Sequence, residues 1–223
     1  MKKSDRPSTN SHHQQNQGFT ITEVMVVVLI IGILAGIVAP GWVFFTNRYR
    51  LRSSADRVYQ AMFRARRNAV RDKTAWQANF QETTNDKGQI VIRYAVHQAA
   101  IAPNKLPEST WEYLEPGIEI DDNEKNDRDR YETSLLIVNP ETNDVTTSRD
   151  NPMYRALFNY QGCPVYKPSD LCTQTSLRAL GRITLKHQTL DLPTRCAIIS
   201  TVLGAMRRGE EHPSADSTNK YCY

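Results

Sequence analysis

Apolar positions are unevenly spread along the chain, and their spacing changes twice. From Val24 to Phe45 there is no charged residue. At about 1.5 Å rise per residue this stretch makes a helix roughly 33 Å long, close to the hydrocarbon thickness of a bilayer. No later segment is comparable, so one membrane helix near the N-terminus is expected. From Leu51 the pattern becomes one-sided. Leu51, Ala55, Val58, Met62, Ala65 and Ala69 recur at helical spacing, the stripe of an amphipathic helix expected to run to about Lys73. Beyond it the period drops to two. Trp76, Ala78 and Phe80 alternate with polar residues, as do Ile90, Ile92, Tyr94 and Val96, and Asn85-Asp86-Lys87-Gly88 between them reads as a hairpin turn.

Further strands are expected near Gly117 to Ile120, Tyr131 to Val138, Tyr154 to Tyr160, Gly181 to His187 and Arg195 to Val202. The run Asp121 to Arg130 reads as an exposed loop, because it lacks the glycine and terminal glutamate of a calcium loop. The tail from Gly209 reads as loose until Cys222. Helix first and antiparallel strands afterwards imply an α+β fold: a long N-terminal α-helix packed on an antiparallel β-sheet head. The expected organisation is a leader (1–18), a transmembrane helix (19–45), its amphipathic continuation (46–73) and a β-rich head (74–223).

Charge adds little by amount and more by position. A formal net charge of +4 is too small to mark a nucleic-acid-binding protein. Lys2, Lys3 and Arg6 precede the apolar run while Arg48, Arg50 and Arg52 follow it, so the positive-inside rule nearly cancels. Between the stripe positions lie Arg57, Arg64, Arg66, Arg67 and Arg71, read as a solvated or ion-paired helix face. All four cysteines, Cys163, Cys172, Cys196 and Cys222, lie in the distal third. They can pair in three ways; local pairing of Cys163 with Cys172 and of Cys196 with Cys222 is simplest. A zinc site competes, but no pair has C-x-x-C spacing, and His187 and His212 are poorly placed. Disulfides favour an oxidising exterior for the head and a cytoplasmic N-terminus.

The start of the apolar run carries the most chemistry. A polar segment, residues 1–17, leads into Gly18-Phe19-Thr20-Ile21-Thr22-Glu23 and then directly into the run. An ordinary secretory signal has a shorter apolar core, and the only small-x-small site after it, Ile37-Val38-Ala39, is followed by Pro40. An uncleaved signal anchor explains the helix but not Glu23. A carboxylate driven to a bilayer centre costs about 2.5–3.5 kcal/mol. Cleavage between Gly18 and Phe19 would create an α-amine four residues upstream that could neutralise it. Pro40 removes a backbone donor and crowds the carbonyl of Gly36, so a helix bend is expected there. Gly32 and Gly36 form a small-xxx-small pair that allows close helix approach.

These residues resemble the type IV prepilin processing motif. The resemblance implies that a membrane-embedded prepilin peptidase cuts after Gly18 and methylates Phe19. It further implies that Glu23 docks onto a neighbouring subunit's N-terminus and that Pro40 bends the helix. The implied partners are prepilin peptidase, other pilin or pseudopilin subunits and an inner-membrane assembly platform. The implied location is the inner membrane, with a periplasmic head, and then a filament. Within the head, Ala65-Arg66, Ala69-Val70, Phe158-Asn159-Tyr160-Gln161-Gly162, Gly181-Arg182-Ile183-Thr184-Leu185 and Ile198-Ile199-Ser200 followed by Gly204 are similar to the FimT/GspH group of minor pilins and secretion pseudopilins.

Some FimT-like pilins bind DNA through a basic G-R-x-R segment. Here the stretch is Gly204-Ala205-Met206-Arg207-Arg208, so Ala205 replaces the first arginine and Arg207 matches the second. Arg207 and Arg208, expected on a loop, are the candidate phosphate contacts, with Glu210 and Glu211 close behind. No G-x-S-x-G, Walker loop or H-E-x-x-H is present. Of the five histidines, His12 and His13 lie in the leader, while His97, His187 and His212 are scattered, so neither catalysis nor a cofactor is expected. A membrane-anchored periplasmic protein unrelated to filaments is the remaining alternative.

Overall fold

The structure, a computed structural model, describes residues 18–122, 131–217 and 219–223, leaving aside the side chains of 37–40 and 191–192. The chain divides into two compact units between Val43 and Phe44. Helix α1 spans Ile21–Asp72. Ten strands follow: β1 Trp76–Thr84, β2 Ile90–Gln98, β3 Glu112–Tyr113, β4 Ile118–Ile120, β5 Leu136–Val138, β6 Val145–Thr146, β7 Met153–Phe158, β8 Gly181–His187, β9 Leu190–Ile199 and β10 Met206–Glu210. They form two antiparallel sheets, in the orders β3-β2-β1-β7-β5-β6 and β10-β9-β8-β4. The fold is α+β, as the periodicity predicts.

One core joins the helix to both sheets. Every stripe residue from Leu51 to Ala69 is buried, and Ala61 joins them. They pack with Phe80, Tyr94, Tyr154 and Phe158 of the larger sheet and with Ile118, Ile183, Leu185 and Ala197 of the smaller. Each fully buried Leu, Val or Met contributes about 1.5–3 kcal/mol, which adds to the good helix propensity of Ala, Leu and Met along the stripe. The helix stops where Lys73 turns left-handed, at φ 54°. In the hairpin, Asn85 Oδ1 accepts from the backbone N–H groups of Lys87 (3.0 Å) and Gln89 (2.9 Å), and Gly88 supplies the positive φ.

Five expectations need correction. The larger sheet is covered on both faces, so the alternate residues Gln77, Asn79 and Gln81 are buried too. Strand β9 begins at Leu190, five residues earlier than the spacing suggests, and the strand expected over Tyr131 to Val138 shrinks to β5. Asp121 is buried rather than exposed: its N–H donates to Thr184 O at 2.8 Å, and its own carbonyl accepts from Thr133. The rest of that run, 123–130, lies outside the described residues. The segment from Gly209 is not loose, because Gly209 and Glu210 belong to β10 and Glu211 bridges to Cys222.

The polar second face of the larger sheet is largely hydrogen-bonded internally, although Asn79 Nδ2 and Arg155 Nε are buried without a partner among the described residues. Arg155 is only 3% exposed, and its guanidinium donates to the carbonyls of Asn143 (2.8 Å) and Tyr166 (2.9 Å). Burial lowers its pKa to about 10. Asn143, itself left-handed, exchanges two 3.1 Å hydrogen bonds with Gln77 and donates to Ala99 O. The buried ring of His97 lies between Asn79 Oδ1 (3.0 Å) and Gln77 Nε2 (3.2 Å). Such a network lets Arg and His sit inside a small head.

Candidate functional site

The N-terminal constellation is built at a helix start. Gly18, Phe19 and Thr20 precede α1 without regular structure, and Phe19 is 81% exposed. The Glu23 N–H donates to both Thr20 O (3.1 Å) and Thr20 Oγ1 (3.3 Å). Thr20 is thus the cap of the helix, and Thr20-Ile21-Thr22-Glu23 carries the residues of a capping box. Thr20 is legible in the sequence as the first residue of S/T-x-x-E, although Glu23 is the more conspicuous of the two. Glu23 falls in the first turn, where the helix dipole favours negative charge by about 0.3–1 kcal/mol. It is the sole charged residue between Phe19 and Arg48. Hydrolysis of the Gly18–Phe19 amide would release a primary amine four residues before this acid.

From Val24 onward the helix presents apolar side chains to the outside on every face. Met25, Val28, Leu29, Ile31 and Ile33 are all exposed, although they point in different directions around the axis. A Cβ added at Gly32 or Gly36 would meet nothing within 4 Å. A helix that is apolar all round belongs in lipid or among other helices. Among the described residues no single helix is long and apolar enough to cross a membrane; the pair Ile21–Gly36 and Gly41–Asp72 meets that measure together. The side chain of Pro40, and the bend expected there, lie outside the described residues.

The basic C-terminal pair is divided. Arg207 and Arg208 lie in β10, not on a loop. Arg208 is turned toward α1, with its Nε 3.2 Å from Asp56 Oδ1 and its guanidinium 4.7 Å above the Tyr59 ring. Arg207 is exposed. It borders a cavity of about 370 Å³ shared with Arg182, Asp216 and Lys220. The neighbouring acids are engaged: Glu210 pairs with Arg195, and Glu211 accepts from the Thr194 N–H at 2.7 Å.

Disulfides join Cys163 to Cys172 and Cys196 to Cys222, the local pairing. The second fastens the last residues onto β9. There Arg182 donates to Cys222 O and pairs with Asp216, and the His212 ring stacks on Tyr223 at 3.9 Å. His187 Nδ1 is within 3.2 Å of the Thr189 N–H. His97, His187 and His212 therefore each have their own surroundings. His12 and His13 lie outside the described residues. Among the described residues no three His, Cys, Asp or Glu side chains could hold a metal ion together.

Residues 13–39 match the family model of the prokaryotic N-terminal methylation motif. That span covers Gly18, Phe19, Glu23 and most of the apolar run. No curated protein and no solved structure matches the chain. The motif implies processing by prepilin peptidase, assembly with other pilins and a membrane-anchored N-terminal helix. With the capped Glu23 at the head of an all-round apolar helix and an α+β head behind it, the chain carries the N-terminal processing motif of type IV prepilin-like proteins.

Proposed function

We propose that this chain is a minor pilin or pseudopilin of the FimT/GspH kind, a subunit of a type IV pilus or a type II secretion-like filament. Prepilin peptidase removes the leader after Gly18 and methylates Phe19. The mature chain waits in the inner membrane with its head in the periplasm, and the assembly platform then moves it into the filament. The observation that carries this reading is Glu23, an acid in the first turn of a helix otherwise without charge up to Arg48. In the apolar core of a filament it requires a cation, and a neighbour's freed N-terminus supplies one. The chain's own role is structural, with no catalysis and no cofactor. Glu23→Ala is expected to leave cleavage intact and to cut recovery in sheared filaments at least about tenfold, the effect of some 1.4 kcal/mol in docking. Unchanged recovery would remove Glu23 from the docking role.

A second reading, DNA capture on the same scaffold, draws on the exposed guanidinium of Arg207. It is tested by gel retardation at low salt, where a phosphate contact is strongest. Arg207→Ala should weaken binding more than Arg208→Ala, whose side chain is already paired with Asp56. No retardation of the parent chain ends this reading.

A further inference from the structure

The start of the second unit carries a feature that neither the processing motif nor the filament role uses. Phe44, Phe45, Arg48, Tyr49, Leu51 and Arg52 at the start of this unit, with Pro193 and Arg195 from β9, line an open cavity of about 330 Å³. Its composition is two-sided. Phe44, Phe45 and Tyr49 are exposed aromatics, and the Arg48 guanidinium sits 5.7 Å from the Phe44 ring centroid. Of the five arginines further along α1, four are matched: Arg57 with Glu115, Arg64 with Glu112, Arg66 with two backbone carbonyls and Arg71 with Asp72; Arg67 pairs with no carboxylate among the described residues. Among the described residues, Arg48, Arg50 and Arg52 pair with no carboxylate. The nearby acids are occupied, Asp56 by Arg208 and Glu210 by Arg195.

We propose that this cavity seats the headgroup of an anionic phospholipid at the membrane surface, with the Arg48 and Arg52 guanidinium groups on its phosphate and Phe44, Phe45 and Tyr49 against its glycerol and upper acyl chains. The proposal rests on the reading of α1's first half as a membrane anchor. The occupant follows from charge and from chain continuity. Three cations without a carboxylate ion pair stand directly after the segment that enters the bilayer, within reach of the phosphates of its lipid headgroups. Aromatic side chains with one apolar and one wet side settle at the same depth, and arginine stems reach along apolar surface while the guanidinium stays at the headgroups. Guanidinium also matches phosphate by paired hydrogen bonds, which an ammonium does not.

The experiment uses the full chain in vesicles of phosphatidylcholine and phosphatidylglycerol in equal parts, with bromine on the acyl chains of one lipid or the other. The readout is quenching of Trp42, two residues before Phe44. Brominated phosphatidylglycerol should quench at least about threefold more than brominated phosphatidylcholine, a bias that high salt reduces. Arg48→Gln with Arg52→Gln should equalise the two lipids, while Arg48→Lys with Arg52→Lys should keep part of the bias. Equal quenching of the parent chain overturns the headgroup seat and leaves the anchor standing. Quenching by neither lipid overturns the anchor itself, and the seat with it.

Discussion

The guanidinium of Arg66, in the last third of α1, donates to the carbonyl of Gly162 at 3.0 Å, and the same side chain reaches Leu203 O at 3.2 Å. One helix residue thereby ties the turn after β7 to the turn between β9 and β10, and so holds the two sheets to the helix at their far ends. Both turns need glycine. Gly162 and Gly204 have φ of 83° and 78°, and a Cβ on Gly204 would lie 2.3 Å from Gly162 O and 2.8 Å from Arg66 Nε.

Gly204→Ala should therefore destabilise the head by about 2–4 kcal/mol, combining left-handed strain with a clash against backbone. Arg66→Ala leaves both turns intact but removes charge-assisted bonds at a half-exposed site, for about 1–2 kcal/mol. Denaturant unfolding of the two variants checks the order. An Arg66→Ala loss larger than that of Gly204→Ala would contradict this account of the junction.

The two disulfides should contribute unequally. Cys196 and Cys222 are 26 residues apart and Cys163 and Cys172 are 9 apart. Loop-closure entropy gives upper values of about 3.5 and about 2.7 kcal/mol. Cys196→Ser with Cys222→Ser should also release the final residues to protease, since β10 and the tail are fastened there. Limited proteolysis and thermal unfolding of the two double variants check this; equal loss with an intact tail would count against it.

Acid should weaken the head through His97. Burial holds its pKa below the ordinary 6.5, against a smaller opposing effect from Gln98 O. The neutral ring is thus favoured in the folded state, and the unfolded chain binds the proton first. Stability is complete above pH 6.5 and falls as the pH drops from there through the depressed value. His187, also lowered, by burial and then by Arg50, acts in the same direction. His97→Gln should flatten the slope of unfolding free energy against pH in that window, and adding His187→Gln should flatten it further. An unchanged slope in the double variant would contradict the assignment.

Much of the fold was legible because local pattern and tertiary burial agree. The stripe from Leu51 to Ala69 is the buried face of α1, and Gly181 to His187 is β8 residue for residue. Strand β10 was not legible, because Met206-Arg207-Arg208-Gly209-Glu210 has no alternation; pairing with β9 makes it a strand. Burial of Gln77 and Asn79 was hidden for a related reason: polar residues on a strand read as solvent-facing until Asn143 and Arg155 close over them. The head segments around Arg66, Gly162 and Gly204 stood out one by one in the sequence. Their meeting in space is long-range, and no spacing along the chain announces it. At the N-terminus the acid is conspicuous, whereas its cap, Thr20, is less so.

The most direct measurement is the intact mass and N-terminal sequence of the native polypeptide, taken from cells that possess the processing peptidase. The expected product is a chain beginning at Phe19 with one methyl group on its α-amine. A chain that keeps the residues up to Gly18, or that is cut after Ala39, would contradict it.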